Sequence, residues 1–221
     1  MPKSKDTFIS ELVESYKPTG RLWPSKVRAA VGFIGILAAQ ILMLFLVQPF
    51  RAMWWEDMLR HPHLGVEVVA GLALSLLSFL YLFRSAVPGE TGGSWLRLLS
   101  GVALGAFLAA LYFGLSSDTP TTAEGARRGC EFEVIFYALL AWPWLAFFLY
   151  RGLVQDWKRA GAVAALAAGL ISSSLMQLAC MYNPWHAFFF HYLPLVVLML
   201  VGIAAGSAAR GFVENRNKSV K

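Results

Sequence analysis

Six apolar runs, each close to 20 residues, constrain this chain more than any other feature. They lie at about 28–48, 65–86, 95–115, 132–152, 160–180 and 187–208. A helix of about 20 apolar residues crosses a ~30 Å hydrocarbon core. Lipid admits only helices and closed barrels, because every backbone polar group must be satisfied internally, and these runs lack the alternation of a strand. The expected fold is therefore all-α: a polytopic membrane protein with six transmembrane helices. Composition agrees, with 57% hydrophobic and 14% charged residues, where a soluble domain carries about 25% charged. Residues 1–27 read as an arm, 28–208 as the helix bundle and 209–221 as a tail. The first apolar run lacks a following small-residue cleavage site, so it is expected to remain as a membrane helix.

Charge sets the expected orientation. Of nineteen Lys and Arg residues, fifteen fall in residues 1–28, the 84–97 and 151–159 loops and the tail. Only Arg51, Arg60, Arg127 and Arg128 fall on the other side. The positive-inside rule then places both termini in the cytoplasm. It turns outward Cys130, before the fourth helix, and Cys180, at the end of the fifth. A net charge of +6 would suggest nucleic acid in a soluble chain. In a membrane chain, orientation and anionic lipid explain it more simply, and no direct nucleic-acid partner is expected.

Within the arm, Phe8, Ile9, Leu12, Val13 and Tyr16 recur at helical spacing on one apolar face. Asp6 or Thr7 suits the N-cap, and Pro18 with Gly20 ends the helix. A helix of about ten residues is marginal alone in water. It either lies on membrane lipid or folds against a partner. In the fifth helix, Gly161, Ala165 and Gly169 form a stripe that permits close helix packing, with Ser172, Ser173, Ser174 and Gln177 as polar contacts near its outer end.

The two cysteines admit three readings. In an oxidising compartment they can pair as a disulfide or redox switch, since both lie near helix ends on one face. They can act as small apolar residues. They can also ligate zinc or another soft metal, with His186 and His191 as the nearest imidazoles and His61 and His63 further off. Five positions apart on an α-helix, His186 and His191 point about 140° apart, so they are not expected to share a metal. Glu67 and Glu133 read as interfacial residues at outer helix ends. Among the helices, only Gln40 and the polar end of the fifth break the apolar pattern. There is no Cys-x-x-Cys pair and no intrahelical histidine pair, so no catalytic set emerges and an enzyme is not expected. A thiol-dependent membrane oxidoreductase or a small transporter remains the alternative, and a purely structural subunit the third reading.

The helix count and lengths, the Asp6-x-x-Ile9-x-x-Leu12 core of the basic arm and the placement of the two cysteines resemble the NrsF-like membrane anti-sigma factors of proteobacteria. The segment Cys180-Met181-Tyr182-Asn183-Pro184-Trp185-His186-Ala187-Phe188-Phe189-Phe190-His191 is similar to that family's Cys-Pro-x-x-x-Pro/His-x-x-x-x-x-Trp-His/Tyr signature. Met181 stands where proline is frequent, and Phe190 where tryptophan is. The resemblance covers nearly the whole chain. It implies a multi-pass protein of the bacterial inner membrane, whose arm (Asp6, Phe8, Ile9, Leu12, Val13, Tyr16) holds an extracytoplasmic-function sigma factor. It also implies that Cys130 and Cys180 sense oxidant or heavy metal and release that factor.

Overall fold

The computed structural model describes residues 23–47, 50–87, 93–117, 125–150 and 154–219, apart from the side chains of Tyr150 and of 213–219. The arm residues Asp6, Phe8, Ile9, Leu12, Val13 and Tyr16 lie outside this set, as do Pro18 and Gly20. Every regular element among the described residues is a helix. These are α1 (Ser25–Val47), α2 (Trp54–Arg60), α3 (Pro62–Ser85), α4 (Ser94–Ser116), α5 (Cys130–Leu140), α6 (Trp142–Tyr150), α7 (Trp157–Ala179), α8 (Pro184–Ala187), a π turn (Phe188–Tyr192) and α9 (Leu193–Ser219). Six helical stretches are long and apolar enough to cross a membrane; α5 with α6 makes the fourth, and α8 through α9 the sixth.

Two breaks in the crossings have local causes. Pro143, at the start of α6, has no N–H to offer the carbonyl of Leu139 and its ring crowds that carbonyl. The chain answers with a tighter turn, in which Ala141 N–H donates to Ala138 O at 3.2 Å. In the sixth crossing, Pro194 cannot donate the bond that an α-helix would make to Phe190. The preceding turn widens to a π turn, closed by Leu193 N–H on Phe188 O. Such one-turn bulges concentrate at functional sites.

The outer surface is apolar, and the interior is an apolar core that also buries several polar side chains. Leu42, Leu98, Val102, Phe113, Val196 and Leu200 face outward, while Gln40, Ser75, Ser172, Ser173 and Gln177 are buried. This distribution suits a bundle whose solvent is lipid. The small-residue stripe of α7 does what its spacing predicts. Gly161 lies against the backbone of Gly202 on α9, and a Cβ added at Gly169 would stand 2.6 Å from Leu195. That close approach makes α7 the central pillar, buried along most of its length. Ser75 Oγ ties α3 to it by donating to Ala167 O at 2.7 Å.

With six crossings, the N-terminus of α1 and the far end of α9 share one end of the bundle. Cys130 begins the fourth crossing and Cys180 follows the fifth, so both lie at the opposite end. The connection at 50–61 there contains α2, a helix that sequence periodicity did not single out. Its first turn carries Glu56 and Asp57, which suit the positive end of the helix dipole, and Arg51 Nε anchors Asp57 at 3.1 Å.

Candidate functional site: a buried thiol–imidazole centre

The site is assembled where α7 ends. Its last carbonyls need partners that the helix cannot supply. Two arginines provide them: Arg51 Nη1 donates to Cys180 O at 2.8 Å, and Arg127 Nε to Ala179 O at 3.2 Å. Cations also suit the negative end of the helix dipole. Arg127 is held in turn by Glu133, at 2.9 Å, and Arg51 by Asp57. Gly125 packs directly under this segment at φ +77°, where an added Cβ would meet Ala179 O at 3.3 Å. Cys180 thus projects from a clamped backbone, its own N–H still bonded to Met176 O at 2.8 Å.

Cys130 opens α5 behind Gly129, whose φ of +82° places it in the left-handed region, open to glycine at little cost. The Cys130 and Cys180 sulfurs stand 3.0 Å apart and both residues are fully buried. A disulfide has an S–S length of about 2.05 Å, so bond formation needs roughly one ångström of approach. Cys180 lies in the connection between the fifth and sixth crossings. The hydrogen bond from the Cys130 thiol holds the Cys180 thiol well below its ordinary range, the neighbouring His191 and His186 act in the same direction, and burial opposes them.

Both histidines join the thiols. His186 Nε2 lies 3.4 Å from Cys180 Sγ, fixed by the Asn183 cap at the start of α8. His191 is fully buried, and neither of its ring nitrogens finds a hydrogen-bond partner among the described residues. The two rings stand edge to face with centroids 5.3 Å apart. The expectation that they diverge by about 140° assumed α geometry. The π turn corrects it, because i to i+5 bonding brings residues five apart towards alignment. Ser173 Oγ supports the turn by donating to His191 O at 2.7 Å.

Cys130, Cys180, His186 and His191 thus present four donor atoms within 4.8 Å of one another. Two thiolates and two imidazoles suit tetrahedral Zn²⁺ or a softer ion. The orphaned nitrogens of His191 fit that use, because a buried imidazole without a partner carries a desolvation cost that a ligand would remove. His61 and His63 stand apart from this group. His61 stacks on Tyr182 at 4.6 Å, and His63 Nε2 meets the Tyr182 hydroxyl at 2.6 Å.

Glu67 departs from its interfacial reading. It is 5% exposed and accepts hydrogen bonds from the Tyr192 hydroxyl and Gln177 Nε2, one residue beyond His191 and three before Cys180. Glu133 keeps a partly exposed position as the partner of Arg127. Arg51 and Arg127 were counted in the sequence only as charge. Arg127 carried a hint, standing three residues before Cys130, and Arg51 carried none. Tyr192 gave no signal among the aromatics around it.

Neither a curated protein nor a solved structure matches the chain. The family model described as negative regulator of sigma F (NrsF) matches residues 12–209, from within the arm through all six crossings and across the four donor residues. The chain therefore belongs to the NrsF family, the negative regulators of sigma F.

Proposed function

We propose that this chain is an anti-sigma factor of the bacterial inner membrane, with both termini cytoplasmic, that holds an extracytoplasmic-function sigma factor on its N-terminal arm. It releases that factor when the outward thiol–imidazole centre is oxidised or takes up a soft metal ion. It is a regulator and not an enzyme. The observation that carries the reading is the convergence of Cys130, Cys180, His186 and His191 in one buried group, at the end of the bundle opposite the entry of the arm. Oxidation joins the two sulfurs and passes two electrons and two protons to the oxidant. Ligation instead requires both thiols to lose their protons and the imidazoles to be neutral. Either event sets a new distance between the start of α5 and the end of α7, and a bundle with two arrangements can answer it. Asp6, Phe8, Ile9, Leu12, Val13 and Tyr16 form the face that meets the sigma factor, with surrounding lipid as the other contact of the arm.

The test is co-purification. The full chain carries a sigma factor through detergent extraction, and a chain lacking residues 1–20 inserts equally well and carries none. Retention by the truncated chain would remove the arm from the reading.

Orientation is checked separately. With both native cysteines replaced by serine, Thr121→Cys reacts with a membrane-impermeant maleimide in intact spheroplasts and Ser219→Cys reacts only after lysis. This outcome is expected from the fifteen-to-four asymmetry of basic residues. The reverse pattern would put the thiol centre in the cytoplasm and end the sensing model.

A further inference from the structure

α1 leads directly out of the arm, and the thiol centre lies on α5 and at the end of α7, so a signal must pass between them. Beyond Ser25 and Arg28, buried at its start, α1 buries one polar side chain midway along its apolar sequence. Gln40 is 3% exposed. Its Nε2 donates to Tyr137 O of α5 at 3.1 Å, and its Oε1 accepts from Ser172 Oγ of α7 at 3.2 Å. The amide orientation follows from the partners, since the Tyr137 carbonyl can only accept. Gln40 therefore spans the two helices whose outer ends carry the sulfurs. Tyr137 lies seven residues from Cys130 and Ser172 eight from Cys180, about two helical turns inward on each.

The Ser172 bond has a built-in alternative. The hydroxyl has one proton and two acceptors at equal distance, Gln40 Oε1 and the carbonyl of Ala168 on its own helix, each at 3.2 Å. A small shift of α7 decides which of them receives it. The shift available is of the right size. Disulfide closure shortens the 3.0 Å sulfur separation by about 1 Å. Tetrahedral ligation with bonds of about 2.3 Å lengthens it to roughly 3.7 Å. A bond of 3.1–3.2 Å is lost once its atoms part beyond about 3.5 Å, and an amide freed inside lipid cannot turn to water.

We propose that Gln40 is the coupling residue of this protein: it reads the position of α5 relative to α7 through Tyr137 O and Ser172 Oγ, and passes it along α1 to the arm. This rests on the reading of the thiol centre as a sensor. It is a positioning role, exerted through hydrogen bonds and without contact with the signal.

The test uses the full chain in nanodiscs and diamide, a thiol-specific oxidant whose N=N bond takes up the two electrons and two protons of the thiols. Hydrogen exchange along residues 25–47 is read before and after closure with no sigma factor present. Release of bound sigma factor is read in parallel, and alkylation confirms equal closure of Cys130–Cys180 in every variant. In the native protein, closure changes the exchange of α1 by about fivefold or more, the lower bound of ordinary allosteric coupling. In Gln40→Leu, which keeps the volume and loses both bonds, the change stays confined to α5 and α7. Gln40→Glu restores the response, because a buried carboxylic acid stays neutral and offers the same donor and acceptor. If Gln40→Leu does not fold, Ser172→Ala removes one of the two bonds alone and carries the same expectation. An equal response of α1 in the native and apolar variants, or no response of α1 in the native protein, overturns the proposal. If α1 responds and depends on Gln40 while the sigma factor stays bound, the coupling stands and the reading of the thiol centre as the trigger of release fails.

Discussion

Replacing either Cys130 or Cys180 by serine abolishes the response to thiol oxidants, and the double replacement is no worse than either single one. The two sulfurs form one centre at 3.0 Å, so losing one removes the whole event that the pair performs. Groups that act as a unit are strongly non-additive. The size of the effect follows from the covalent bond. A loop of about 50 residues closed by a disulfide constrains the unfolded chain by about 4 kcal/mol. Release depends instead on the difference between two folded arrangements, where about 5.5 kcal/mol separates 1:99 from 99:1. A disulfide of about 2.05 Å excludes every arrangement in which the sulfurs stand further apart, so it is not bounded by that figure. The measurement is the release of bound sigma factor against oxidant concentration for native protein, both single variants and the double variant. Independent, additive effects of the two serines would return the cysteines to a structural role.

His191→Ala separates the two kinds of signal within the same experiment. It removes one of four donors and leaves the sulfurs. Loss of a ligand weakens metal binding by more than the about 10–100-fold seen for groups one shell further out. The variant therefore keeps its response to diamide and loses that to cadmium or zinc.

Leu12→Glu in the arm abolishes capture of the sigma factor while insertion, expression and the reactivity of the thiol pair stay native. Leu12 sits in the middle of the Phe8/Ile9/Leu12/Val13 face. A carboxylate on that face must either lose its water or keep the groove open. Truncation of a central apolar anchor costs about 2 kcal/mol or more, roughly 30-fold in Kd, before the charge is counted. Retention of labelled sigma factor on the immobilised full chain measures it. Capture at native strength by Leu12→Glu would move the binding site off the arm.

The six crossings and the end of the bundle that receives each cysteine were determined by the sequence alone, although the sixth crossing extends beyond the 187–208 run, over Pro184–Phe212. A run of about 20 apolar residues in lipid has one economical backbone solution, and that solution depends only on local order along the chain. The stripe of Gly161, Ala165 and Gly169 was legible for the same reason, because helical period places small residues on one face whatever they meet. The break before α6 follows from Pro143, which the reading of 132–152 as one continuous run passed over. What only the tertiary structure decided is who meets whom across helices. His186 and His191 converge because Pro194 widens one turn and Ser173, from another helix, satisfies the carbonyl of His191. The spacing of five residues in α geometry says the opposite. Glu67, Gln177 and Tyr192 are far apart in sequence and adjacent in space. Arg51 and Arg127 look like loop charges until the end of α7 presents the carbonyls that need them. Gln40 was visible as one polar residue in an apolar run, yet its two partners lie 97 and 132 positions away. A hydrogen bond across helices depends on crossing angle, register and rotation together, and helical periodicity specifies none of the three.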